Sequence, residues 1–179
     1  LQLKDLESLN NRIEKVTRAA KSGDKEAVRE KEVLLEAVSF LEASNNIRSI
    51  QLEDDDINKY LKPLQLITSK PVLYVCNVAE SDSATGNDYS RKVAEMAAAQ
   101  KAGHVVVSAA IEAEISQLDA DDKGEFLAEL GLAEAGLARL IRAGYDLLDL
   151  LTFFTVGPKE ARAWTVASGA TAPQAAGVI

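Results

Sequence analysis

Asn77 and Glu80, separated by Val78 and Ala79, follow directly on the apolar run Val72-Leu73-Tyr74-Val75-Cys76. Ser108-Ala109-Ala110 follow in the same way on a second run, His104-Val105-Val106-Val107. An asparagine amide carries both an acceptor and a donor, so it can form a bidentate pair with the N6 and N7 edge of adenine and, less fully, with the matching edge of guanine. A Ser-Ala turn with free backbone N–H groups can close the other side of such a base. Taken singly each motif is ordinary, since an Asn after a strand is most often a turn residue. Standing at equivalent places after two apolar runs, Asn77 and Ser108-Ala109 together point to a pocket for a purine base.

The elements around these residues have to bring them to one edge. Residues 71–76 read as a strand buried on both faces, because the run is almost unbroken and rich in β-branched residues. After a polar loop containing Gly86-Asn87, the residues Tyr89, Val93, Met96, Ala97 and Lys101 keep a helical period that ends at Gly103. His104 to Val107 then reads as a second buried strand. Strand, helix and strand in this order make a crossover unit of a parallel sheet, whose strands present their carboxyl ends on the same edge. Ligands of open parallel sheets bind at that edge.

Upstream, Leu6, Leu9, Ile13, Val16 and Ala20 form a narrow apolar seam along one helix, and Ala27, Leu34, Val38 and Leu41 form another. Gly23 and Asp24 between them suit a left-handed closing residue and an N-cap. The expectation is an antiparallel coiled-coil hairpin. The acidic stretch Glu53-Asp54-Asp55-Asp56 reads as a solvated start of a short helix reaching Lys62. Downstream, helices are expected over residues 111–118, from Asp119 to Leu130, and over 137–150. Residues 152–156 and 163–166 flank Gly157-Pro158-Lys159-Glu160 and read as a β-hairpin opening a new, mostly β unit.

With 47% hydrophobic residues in 179, the chain can supply a core. Its 28 acidic against 20 basic residues give a net charge of −8, which argues against embracing a nucleic-acid backbone over the whole surface and leaves room only for a local basic patch. The single cysteine, Cys76, precludes a disulfide framework within the chain, and a reducing cytoplasm is expected. No apolar run approaches a membrane span, so no membrane association is expected. A start inside a helical pattern, without Met, reads as a piece of a longer protein.

The order apolar strand, Asn-x-x-(Asp or Glu), helix, apolar strand, Ser-Ala resembles the base-recognition half of a P-loop GTPase domain, in which Asn-Lys-x-Asp grips guanine. Asn77-Val78-Ala79-Glu80 lacks the lysine and carries a longer carboxylate, and in this it is similar to the Obg-like ATPases of the YchF type. Residues 153–165 and 169–179 resemble the beginning of that family's TGS domain. The resemblance covers nearly the whole chain. It implies an α/β fold: a helical coiled-coil hairpin inserted at residues 1–52, the second half of a P-loop nucleotide-binding domain at 53–149, and the start of a β-grasp-like TGS domain at 150–179. It implies a P-loop hydrolase binding ATP, and GTP less well, with Mg²⁺. The phosphate and metal ligands would lie outside these residues, in which no G-x-x-x-x-G-K-[ST] occurs. The piece alone would then be inactive. Asn77 would read the base edge, Val78 would lie across the ring, Ser108 and Ala109 would close the pocket, and Glu80 would face the base's far edge. The implied partner is the ribosome or its RNA, met through the coiled coil and the TGS domain. The rivals are a true GTPase with a relaxed motif and a non-catalytic ribosome-binding scaffold.

The remaining candidates read as structural. His104 is the only histidine and has no nucleophile placed near it by pattern. Cys76 reads as a small buried apolar residue. Glu112 and Glu114 read as stabilising their own helix start, with a contact from Glu112 toward the base turn conceivable. Trp164 reads as core rather than as a platform for RNA bases. Lys4, Arg12, Lys15, Arg18 and Lys21, interleaved with Asp5, Glu7 and Glu14, read as a solvated coiled-coil face.

Overall fold

A computed structural model describes residues 1–179, which divide into two compact units, Leu1–Lys70 and Pro71–Ile179. The first unit is built on helices α1 (Gln2–Lys21) and α2 (Lys25–Glu42), which pack against each other as a hairpin. The connection follows the local chemistry. Gly23 takes φ +85°, and the Asp24 side chain accepts from the N–H groups of Glu26 and Ala27. The seam residues Leu9, Val16, Ala27, Leu34 and Leu41 are buried, joined by Val33 and Ala37.

The hairpin core does not end with the two helices. A 3-10 turn (Ile47–Ser49), α3 (Asp54–Asp56) and one turn of π-helix (Ile57–Leu61) bring Ile47, Ile50, Tyr60, Leu61 and Leu66 into the same cluster. Residues 53–70, expected to open the nucleotide-binding half, thus pack with the hairpin. Two acidic residues read as solvated prove buried. Asp56 pairs with Arg29 at 2.5 Å, which raises the pKa of that guanidinium. Asp5, only 1% exposed, accepts from the N–H groups of Ile67 at 2.8 Å and Thr68 at 2.7 Å, tying α1 to a loop more than sixty residues away. The basic residues of α1 stay on the surface, with Arg12 held by Glu30 at 2.6 Å and Lys4 by Glu7 at 3.0 Å.

In the second unit, β1 (Leu73–Asn77) and β2 (Gly103–Val107) pair in parallel, joined by α4 (Asp88–Ala99). The register sets Asn77 beside Val107, so both strands end together. Helix α4 starts with a capping box: the Asn87 side chain accepts from the Tyr89 and Ser90 N–H groups, and the Ser90 hydroxyl accepts from the Asn87 N–H. The expectation that β1 is buried on both faces does not hold. Val75 is 48% exposed and no residue of β1 is fully buried, because β2 is the only strand paired with it. The unbroken apolar pattern therefore records more contact than these residues themselves supply.

Helices α5 (Ala109–Gln117), α6 (Ala120–Glu129) and α7 (Gly136–Leu147) follow. Ile111, Ile115 and Leu132 form a small core with Phe126, Leu127 and Leu130 packed on it. Strands β3 (Leu150–Val156) and β4 (Ala161–Ala167) pair antiparallel around the expected turn, where the Gly157 N–H donates to the Glu160 carbonyl at 2.9 Å. Trp164 is half-buried on this hairpin, its Nε1–H donating to Thr155 at 2.9 Å and its ring stacked under Arg162. A short helix, α8 (Ala172–Ala176), follows. No helix is long and apolar enough to cross a membrane.

Candidate functional site

The site lies where β1 and β2 end. Beyond Asn77 the chain remains tied to β2 for one more residue, since the Val78 N–H donates to the Val107 carbonyl at 2.9 Å. On the other strand Ser108 stands at the N-cap of α5, and its carbonyl accepts from Glu112 N–H at 3.0 Å. The decisive contact joins the two loops. Asn77 Oδ1 accepts from the Ala109 N–H at 2.9 Å, across a separation of thirty-two residues.

That bond fixes the amide. A backbone N–H can be met only by the carbonyl oxygen of the Asn side chain, so Oδ1 faces α5 and Nδ2 remains as the donor of this exposed residue. The simple bidentate picture, with both ends of the amide free for a base, gives way to one in which an Oδ1 lone pair is already engaged within the protein. The Ala109 N–H, read from sequence as free, is engaged as well. The next donor is Ala110 N–H, in the first turn of α5, where helix geometry offers no intrahelical acceptor. Ala109 and Ala110 are exposed, whereas Ser108 is 2% exposed and its hydroxyl has no hydrogen-bond partner.

Val78 is half-buried and, with Asn77, borders a cleft lined further by Asn87, Tyr89 and Val93 at the start of α4. Glu80 opens a 3-10 turn (Glu80–Asp82) and is exposed. Its carbonyl, not its carboxylate, holds the local structure by accepting from Ser83. The structure thus brings Asn77 and Ala109 into direct contact, sets Val78 and Ser108 beside them in the chain, and leaves the Glu80 carboxylate free of structural duty. No three His, Cys, Asp or Glu side chains gather in a way that would hold a metal ion.

Glu112 is the residue whose part could not be read from sequence. Its two oxygens accept from the first N–H groups of α7, Gly136 at 2.6 Å and Leu137 at 3.1 Å. Glu114 stays exposed on the same helix, and His104 is exposed on β2.

Curated relatives align with the chain from end to end. The protein described as ribosome-binding ATPase YchF in Haemophilus ducreyi is 48% identical over 100% of this chain. Its namesakes in Escherichia coli O157:H7 and Bacillus subtilis are 45% and 44% identical, again over 100% of the chain. The chain is homologous to YchF over its whole length. It spans 49% of each of these YchF proteins, about half their length. The structure of the Schizosaccharomyces pombe YchF GTPase superposes on 99% of the chain and 49% of its own, with a TM-score of 0.85 and 27% identity. A family described as YchF-GTPase_C, protein of unknown function (DUF933), matches residues 150–179, the segment of β3, β4 and α8.

Proposed function

We propose that these residues form the base-recognition half of a YchF-type P-loop nucleotide hydrolase that binds ATP in preference to GTP and works on the ribosome in the cytoplasm. The observation that carries the reading is the Asn77 to Ala109 hydrogen bond, which ties the two strand-end loops together and leaves Nδ2 as the donor of that side chain. From there Nδ2 donates to N7 of a purine. Ala110 N–H supplies a second donor, Ser108 and Ala109 close the pocket, and Val78 offers an aliphatic surface to the ring. Because N7 is an acceptor in adenine and guanine alike, Asn77 gives affinity without choosing between them. The choice falls to Glu80 and the backbone around it.

Mg²⁺ and the phosphates would be held by residues beyond this chain. When bound, the metal neutralises charge on the transferred phosphoryl group. The chain's own part is to bind and orient the base. The 179 residues alone are therefore expected to bind nucleotide weakly and to turn none over. The ribosome is met through the α1–α2 hairpin and through residues 150–179, which we assign to the opening of a TGS domain.

A second reading, a GTPase, draws on the description of the Schizosaccharomyces pombe relative. The exposed Glu80 carboxylate can accept from guanine N1–H and N2–H₂, whereas adenine N1 is a bare acceptor. Equilibrium titration of the full-length protein with ATP and GTP distinguishes the two. Tighter ATP binding supports the proposal, tighter GTP binding supports the second reading, and binding of neither refutes the base pocket.

A further inference from the structure

Helix α7 starts without a capping side chain of its own, because its N-cap is Ala135. Its first two N–H groups are met instead by the two oxygens of Glu112, a residue in the first turn of α5. The sequence makes room for this at Gly136, where a Cβ would come within 2.9 Å of Glu112 Oε1 and 3.2 Å of Val107 Cγ1. The end of β2, the start of α5 and the start of α7 thus meet around one carboxylate.

This contact bears on the turn that closes the base pocket. Ala109 and Ala110 are exposed and bury nothing that could hold them in place. The Ser108 hydroxyl forms no cap. Ile111 and Ile115 are buried and fix how far α5 stands from its neighbours, but such apolar packing is non-directional. Two directed bonds restrict it: Asn77 on the β1 side and the charge-assisted pair from Glu112 on the α7 side. Bonds with an ionised acceptor are roughly twice as strong as neutral ones, so the Glu112 pair is the stronger of the two.

We infer that Glu112 is a positioning residue for the nucleotide site, holding the Ser108–Ala110 turn in register with Asn77 by anchoring α5 to the start of α7. The inference rests on the reading of that turn as the base pocket. It requires that loss of Glu112 weaken nucleotide binding by loosening a preorganised turn, an effect separable from loss of a helix cap.

The test uses the full-length protein with Glu112→Ala, Glu112→Gln, and Glu112→Ala combined with Ala135→Ser. The backbone at Ala135, with φ −62° and ψ 146°, is already that of an N-cap, so a serine there restores capping to α7 without tying it to α5. Nucleotide affinity of the active fraction, kcat at saturation and melting temperature are measured for each. Glu112→Ala should weaken ATP and GTP alike by on the order of tenfold with little change in kcat. Glu112→Gln, which keeps an acceptor for one of the two N–H groups, should fall between and covers the case in which the alanine variant does not fold. Ala135→Ser should recover melting temperature but not affinity. If it recovers both, Glu112 is only a cap and the inference is wrong. Unchanged affinity in Glu112→Gln and Glu112→Ala overturns it equally. A wild type that binds neither nucleotide removes the base pocket itself and the inference with it.

Discussion

Replacing Asn77 by aspartate separates the two jobs that one side chain performs. Aspartate keeps an oxygen where Oδ1 stands, so the Ala109 N–H retains its acceptor at 2.9 Å. That bond becomes charge-assisted, and a carboxylate beside the first residue of α5 is favoured by the helix dipole, together worth about 0.3–1 kcal/mol. What aspartate cannot do is donate. It removes the Nδ2 contact to purine N7, about 0.5–1.5 kcal/mol, and sets negative charge against the N7 lone pair, so a total loss of about 1.5–3 kcal/mol, or roughly ten- to a hundredfold in affinity, is expected. Asn77→Ala loses both functions, with affinity reduced to a similar degree and stability lower by about 0.5–1.5 kcal/mol. In the full-length protein, nucleotide titration gives the first quantity and chemical denaturation the second. Asn77→Asp should be at least as stable as the wild type and bind ATP and GTP equally poorly. An aspartate variant that binds ATP as well as the wild type would show that Nδ2 touches no base, and the reasoning from Oδ1 would fail.

Val78→Lys with Glu80→Asp, which sets a lysine stem over the ring and shortens the carboxylate, should move preference toward GTP by about ten- to a hundredfold; an unchanged ATP to GTP ratio in competition titration would place selectivity elsewhere. Asp5→Ala leaves the Ile67 and Thr68 N–H groups without an acceptor and should destabilise the Leu1–Lys70 unit by about 2–4 kcal/mol, read from urea unfolding; a loss below about 0.5 kcal/mol would mean that water reaches that loop. Glu134 is held below its usual carboxylate range by the hydrogen bond from Arg142, whose own pKa is raised in return. A depressed carboxyl stabilises the fold above its unfolded pKa and loses that contribution as pH falls through the folded value. Melting temperatures of the wild type and Glu134→Gln should therefore differ slightly at neutral pH and converge as the pH falls through the depressed carboxyl value, whereas a difference that persists at low pH would contradict the pairing.

Features set by neighbours in sequence were the ones that could be read from it. Gly23 with Asp24 closes one helix and opens the next through contacts no more than three residues away, and the parallel crossover of β1, α4 and β2 follows from periods and lengths. Asn77 stood out because an amide at a strand end faces a second strand end. Features that depend on distant partners were hidden. Asp5 sits among lysine and glutamates and looks solvated, yet its partners are Ile67 and Thr68. The π-turn at Ile57–Leu61 lies inside what reads as a plain short helix, and its buried Tyr60 and Leu61 draw residues 53–70 onto the hairpin. Glu112 left one trace. Ala135-Gly136 is a poor helix start by composition, which calls for a cap from elsewhere, but nothing in the spacing says which carboxylate supplies it. The exposed face of β1 has the opposite origin, a pattern that demands more contact than the chain provides.

The central claim, that the strand ends carrying Asn77 and Ser108-Ala109 hold a purine base, is met most directly by a crystal structure of the full-length protein with Mg²⁺ and a non-hydrolysable ATP analogue. The account predicts adenine N7 within hydrogen-bond reach of Asn77 Nδ2, about 2.7–3.2 Å, with the Asn77 Oδ1 to Ala109 bond intact and Val78 against the ring. An adenine bound away from Asn77, or an amide turned so that Oδ1 leaves Ala109, would contradict it.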